Sequence, residues 1–392
     1  MSITERFAEL ENTRRSLAEV NADPGSLIIE RILSATEAII KGRRTVLAGT
    51  NNYLGLTFEA GGIEAASLAL HEQGSGTTGS RMANGSFASH IALEQAFAEF
   101  YGYPGAMIFS TGYQANLGVL AGLVRAGDKV LIDAHSHASI YDGCKLSGAE
   151  FFPFRHNDPD DLHKRLRRLG AAAKGALVVA EGLYSMLGDT APLAEVMAVV
   201  DDYAAYLMVD EAHSLGIYGE HGLGVCEAAG ILDRVDFITG TFSKSLGSLG
   251  GFCVSRHEQL NLLRYGSRPY IFTASASPST IASAHWALQQ IKTRPQLRER
   301  LWANVDRLYQ GLLKMGYHLS AAPSPVISIR VEVLTEALSM WNALLEYGVY
   351  VNLVLPPASP DGAPLLRCSV SAAHTFEQID TIVSAFAAAR ES

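Results

Sequence analysis

Short apolar runs, each ending on a polar or titratable residue and each followed by a helical stretch, recur along most of this 392-residue chain. They read as strands at Ala106–Phe109, Lys129–Asp133, Glu150–Phe154, Ala176–Glu181, Tyr206–Asp210, Phe237–Thr239 and Gly251–Val254. Helical periodicity fills Tyr113–Arg125, Asp158–Leu169 and Pro192–Ala204 between them. Strands that alternate with helices are joined by crossovers, and crossovers build a parallel sheet covered on both faces. The expectation is an α/β fold with a mostly parallel central sheet and a smaller C-terminal α/β unit. That second unit draws on Val326–Glu332, Leu365–Ser369 and the helices Leu334–Tyr347 and Thr375–Ala389. The expected division is an N-terminal helical segment over 1–45, a large domain over 46–280 and a smaller domain over 281–392.

Composition narrows what such a fold can do. Lys and Arg total 31 against 40 Asp and Glu, a formal charge of −9 that disfavours nucleic acid, because phosphate contacts need a cationic face. At 48% hydrophobic residues there is ample apolar area for large cores, so a disordered chain is excluded. Cys144, Cys226, Cys253 and Cys368 are widely spaced with no CxxC pair, which predicts reduced thiols in the cytoplasm and no metal site. The uncharged stretch Gly102–Val124 is long enough to span a bilayer, but Ser110, Thr111, Gln114, Asn116 and its glycines argue against that.

In open parallel sheets, ligands bind beyond the carboxyl ends of the strands. Collecting the residues there gives Ser110-Thr111-Gly112-Tyr113, His135-Ser136-His137, Glu181 through Ser185, Asp210-Glu211-Ala212-His213 and Gly240 through Lys244. A lysine in such a place can form a Schiff base if its amine is partly desolvated; Lys244 can equally cap a loop or pair with a carboxylate. Asp210 ends an apolar strand and needs a cationic partner, either a salt-bridged side chain or a protonated pyridine nitrogen. The backbone N–H groups opening a helix at Gly112 suit a phosphate, or are simply capped by Thr111. His137 can stack on a planar ligand or serve as a hydrogen-bonded structural histidine. Taken together, these features specify a planar, phosphorylated aldehyde with a basic ring nitrogen, which is pyridoxal 5′-phosphate.

With these residues assembled, Asp210-Glu-Ala-His-Ser214 followed by Gly240-Thr-Phe-Ser-Lys244 resembles the α-oxoamine synthase family of fold-type-I pyridoxal phosphate enzymes. Asn52-Tyr-Leu-Gly55, Gly74 through Arg81, Ser136-His-Ala-Ser139 and Leu365-Leu-Arg367 extend the resemblance over nearly the whole chain. It implies that Lys244 carries the cofactor and acts as base, that His137 stacks on the ring and that Asp210 pairs with its nitrogen. It implies His213 and Ser185 as donors to the phenolic oxygen, and Gly112, Tyr113 and Thr241 at the phosphate. Thr273 would reach the phosphate of a partner subunit in a homodimer. Arg367, assisted by Asn52, would grip a substrate carboxylate.

The implied reaction is decarboxylative Claisen condensation of L-serine with a long-chain acyl-CoA, giving 3-oxosphinganine, CoA and CO2 at the start of sphingolipid synthesis. Peripheral membrane contact would suit a lipid product. Alternatives are a relative using alanine or glycine with another acyl thioester, or a binding protein that kept the fold and lost catalysis. An NAD-binding oxidoreductase is disfavoured, because no GxGxxG follows a strand. Two departures from the family pattern, Leu355 where a carboxylate-binding arginine is usual and Ala274-Ser-Ala-Ser-Pro278 after the Phe-Thr turn, bear on substrate preference more than on chemistry.

Overall fold

The computed structural model of the chain describes residues 2–19, 27–356, 358–360 and 362–390. The N-terminal helix covers Ile3–Glu19, followed by three short strands, β1 (Ile29–Ile32), β2 (Glu37–Ile40) and β3 (Arg43–Leu47). The helical expectation over 1–45 therefore holds only for the first part, with 1 and 20–26 outside the described residues. Alternation decides the rest: Ala38 and Ile40 are buried between half-buried neighbours, a period of two. Lys41 and Gly42, both at positive φ (50° and 71°), form the tight turn that pairs β2 antiparallel with β3.

Residues 52–185 and 189–299 form one compact unit; the described residues of 1–51, 186–188 and 300–392 form another. The large unit therefore ends beyond the expected boundary at 280. Helix Pro278–Thr293 belongs to it, burying Ile281, Ala284, Leu288 and Ile291, with Trp286 packed where side chains on Gly61 and Gly62 would stand.

The large unit is built on a seven-stranded sheet of β4 (Gly105–Phe109), β5 (Lys129–Asp133), β6 (Glu150–Phe154), β7 (Leu177–Glu181), β8 (Tyr206–Asp210), β9 (Phe237–Thr241) and β10 (Gly251–Ser255). Its order is β4-β10-β9-β8-β7-β5-β6. The strands from β9 through β6 run parallel, whereas β10 lies antiparallel to both β9 and β4. Full burial of β4, β7, β9 and β10 is what near-continuous apolar runs require of strands covered on both faces. In the second unit, β11 (Val326–Arg330), β13 (Asn352–Val354) and β14 (Leu365–Ser369) form an antiparallel sheet with β14 central. The remaining strand there, β12 (Val349–Tyr350), runs parallel to β3. No helix among the described residues is long and apolar enough to cross a membrane, and Gly102–Val124 resolves into β4 and the helix Gly112–Leu123.

Candidate active site

Parallel register delivers the titratable residues to one edge. Asp133, Glu181, Asp210 and Thr241 are the last residues of β5, β7, β8 and β9, and Glu181 lies directly opposite Asp210 across the β7–β8 pair. The Asp210 side chain is buried, with only 5% of the residue exposed. Its Oδ2 accepts a hydrogen bond from Asn116 Nδ2 at 2.7 Å and its Oδ1 one from the Ala212 N–H at 2.9 Å. Both donors are neutral and no side-chain cation pairs with Asp210 among the described residues. A buried carboxylate so placed suits a cationic ligand nitrogen.

Asn116 organises the floor of this edge. Besides holding Asp210 it donates to Ser139 Oγ at 2.9 Å and accepts from Thr239 Oγ1 at 2.7 Å. Asp210 and Thr239 are register partners on β8 and β9, so one amide spans both strands. Ser139 leads on to His137, which caps the helix Ala138–Ser147: the Ser139 N–H donates to His137 Nδ1 at 3.2 Å. An Nδ1 that accepts leaves the proton on Nε2 of a neutral ring. Desolvation lowers the His137 pKa in the same sense, with Lys244 adding to it and Asp210 opposing it. Beneath, the His137 N–H donates to Glu181 Oε1. Burial, and then the Asp210 charge, push the Glu181 carboxyl well above the usual carboxylate range.

Thr241, Gly112 and Tyr113 converge on the start of the helix Gly112–Leu123, where Thr111 caps the Gln114 N–H at 3.1 Å. A Cβ on Gly112 would lie 2.7 Å from Thr241 Cβ, so only glycine fits against that strand end. The result is a cradle of free N–H groups beside a hydroxyl, as a phosphate requires. Tyr113 is exposed and donates to Asp142, and its ring stands edge-on to His137 at 6.2 Å. Thr273 accepts from Gln114 Nε2 at 3.0 Å, which ties it to the same helix. Lys244 is half-buried in the tight loop between β9 and β10, a turn closed by the Gly247 N–H donating to the Lys244 carbonyl. His213 is buried and shares a 2.7 Å hydrogen bond with the Tyr53 hydroxyl, and Ser185 is half-buried in the turn after β7. Asn52 donates to Thr57 Oγ1 at 2.8 Å. The large unit thus gathers every expected site residue except Arg367.

Arg367 occupies the middle of β14 in the other unit, only 4% exposed, donating to Ser369 Oγ at 2.9 Å and to Asn51 Oδ1 at 3.1 Å. Leu355, just past β13, is half-buried. Asn116, Tyr53 and Asn51 are the contributors that residue patterns missed as site parts, whereas Glu181 was already among the strand-end residues. Sequence spacing carried no signal for Asn116, which stands in a helix of small residues and shows its inward position only in the fold. A cavity of about 460 Å³ opens at the opposite, amino edge of β7–β9, lined mainly by Leu123, Val124, Leu177, Phe237, Leu260 and Leu263. The site is therefore set by chemistry, not by volume. No cluster of metal-ligating side chains forms among the described residues.

The aminotransferase class I and II family model matches residues 45–386. A serine palmitoyltransferase of Caulobacter vibrioides is 52% identical over 386 residues, 98% of this chain and 96% of its own. One from Sphingomonas paucimobilis is 49% identical over 94% of this chain and 88% of its own. A solved structure of SPT with PLP internal aldimine aligns with a TM-score of 0.97 at 47% identity, covering 100% of this chain and 99% of that one. The neutral-partnered carboxylate, the glycine cradle and the lysine loop are thus set in a matching fold, and the chain belongs to the aminotransferase class I and II family, on its α-oxoamine synthase branch.

Proposed function

We propose that the protein catalyses the pyridoxal phosphate-dependent decarboxylative condensation of L-serine with a long-chain acyl-CoA, releasing CoA and CO2 and yielding 3-oxosphinganine. The observation that carries the reading is Asp210, a buried carboxylate bonded only to neutral donors at the edge where Lys244, His137 and the Gly112 cradle also stand. Bound pyridoxal phosphate would supply an electron sink for a carbanion at the amino-acid Cα.

The chain's own residues do the rest. Asp210 would hold a proton on the ring nitrogen, and the neutral His137 would pack against the ring. Gly112, Tyr113 and Thr241 hold the phosphate, while His213 and Ser185 serve the phenolic oxygen. The Lys244 amine would hold the aldehyde and, when free, would take the Cα proton as general base. Arg367 and Asn52 bind the serine carboxylate until it leaves as CO2. The new C–C bond forms at the thioester carbonyl as the C–S bond breaks and the thiol departs.

The working unit in this reading is a cytoplasmic homodimer, with Thr273 contributed across the interface. Four buried free cysteines, with the Cys144 and Cys368 thiols pushed up to about 12 by burial, suit a reducing compartment. The test follows CoA thiol release with palmitoyl-CoA and each of serine, alanine and glycine. Serine should dominate, and Lys244→Ala should abolish turnover and the visible absorbance together. Release with alanine or glycine but not serine would reassign the substrate within the branch.

A further inference from the structure

Beside the site, at the carboxyl ends of β5 and β6, a histidine is bonded through both ring nitrogens to carboxylates. His156 Nδ1 stands 2.8 Å from Asp133 Oδ1, and its Nε2 stands 2.6 Å from Asp189 Oδ2. A neutral imidazole has one N–H, so it would set a bare ring nitrogen against a carboxylate on one side. Only the imidazolium satisfies both bonds. The surroundings agree: Asp133 is fully buried, the His135 ring stacks on His156 at 3.8 Å, and the Tyr184 ring meets it edge-on at 4.5 Å. Arg155, the nearest other cation in sequence, is taken up by Asp158 and Asp161. Desolvation opposes the charge, but the two carboxylates outweigh it and raise the His156 pKa to about 9.

The clamp reaches into the turn after β7. Asp189, its outer jaw, accepts the Tyr184 N–H on its carbonyl at 2.9 Å, and Leu183 and Thr190 bridge the base of the turn. Asn157, held at a φ of 51° that a non-glycine residue rarely adopts, donates to Asp189 Oδ2 at 2.7 Å and to the Thr190 carbonyl at 3.2 Å. Its own N–H donates to Asp133 Oδ2 at 2.9 Å. The bonds to Asp189 and Thr190 hold the segment that carries Ser185, and the one from Asn157 to Asp133 ties that hold to the end of β5.

We propose that His156, as a cation gripped between Asp133 and Asp189, is the positioning residue that holds the 183–190 turn and so places Ser185 for its cofactor contact. The clamp itself rests on geometry alone; its consequence at Ser185 rests on the reading given under Proposed function. Two measurements separate them. In the cofactor-free protein, selective ¹⁵N-histidine spectra, assigned with His156→Gln, should show both His156 nitrogens protonated at pH 7.5. A singly protonated ring would overturn the proposal whatever the cofactor does.

In the pyridoxal phosphate-loaded enzyme, His156→Gln and Ser185→Ala should each shift the visible band and lower kcat about tenfold, with the serine KM within about threefold. Together they should lower kcat about tenfold and not a hundredfold, the non-additivity expected of residues that act as one. Asp189→Asn should reproduce His156→Gln if the latter folds poorly. Additive losses, or an unmoved band in both clamp variants, would refute the positioning role. A wild-type protein that takes up no cofactor at all would instead sink the cofactor reading and leave the ring titration to decide the clamp.

Discussion

Arg367 shows how much a single side chain is asked to do. It is buried, and its guanidinium donates to the neutral Ser369 hydroxyl and the Asn51 amide oxygen. Charge-assisted hydrogen bonds to a carboxylate are worth about 1.5–3 kcal/mol each. Arg367→Ala should therefore raise the serine KM by at least roughly tenfold, at about 1.4 kcal/mol per decade, while the visible absorbance of the loaded enzyme is retained. Leu355 sharpens this test, since it puts an aliphatic side chain where the family pattern has a second arginine. Titration of the spectrum with serine reads both quantities in one experiment. An unchanged serine response would move the carboxylate site elsewhere.

Between strands and helices, the sheet edge depends on one amide. Asn116 joins the helix Gly112–Leu123 to β8 through Asp210, to β9 through Thr239 and to the next helix through Ser139. Truncation leaves three buried polar groups short of a partner, and each such group costs about 1–3 kcal/mol. Asn116→Ala should lower the unfolding free energy by at least about 2 kcal/mol, read from urea melts. It should also lose bound cofactor faster on dialysis, because Asp210 keeps only the Ala212 N–H. A variant with normal stability and normal retention would show that the strand ends hold their own register. The same amide explains a limit of pattern reading: Asn116 sits in a run of small residues, and nothing in its sequence spacing distinguishes it from the exposed Tyr113 nearby.

Across the molecule, two buried histidines give folding stability opposite pH slopes. His374 sits neutral beneath β3, accepting the Ser371 N–H and facing the Leu47 carbonyl, and burial lowers its pKa from 6.5 to about 4. A histidine depressed in the folded state contributes stability above 6.5 that is lost as pH falls toward 4, here up to about 3 kcal/mol. His156, raised to about 9, contributes most below 6.5 and loses that contribution as pH rises toward 9. Urea midpoints of wild type, His374→Leu and His156→Gln between pH 4.5 and 9 should separate the two limbs. The acid limb should flatten in the first variant and the alkaline limb in the second. Sedimentation under assay conditions tests the homodimer, and a fully active monomer would remove the role given to Thr273.

Alternating apolar runs and helical stretches are local properties, so the sequence by itself determined the strands of the central sheet nearly to the residue, and with them the edge where Lys244, Asp210, His137 and Gly112 meet. Motifs did the same for the family. Sequence periodicity left the β1–β3 meander unread, because its strands are only four or five residues long, β1 is exposed throughout, and only the Lys41-Gly42 turn marks them. Tertiary structure alone decided which side chains serve the site from behind. Asn116, Tyr53 and Asn51 act through hydrogen bonds to residues far along the chain, and His156 gains its charge from Asp133 and Asp189, 23 and 33 residues away. Such roles depend on distance in space and on desolvation, and neither is written in the order of the residues.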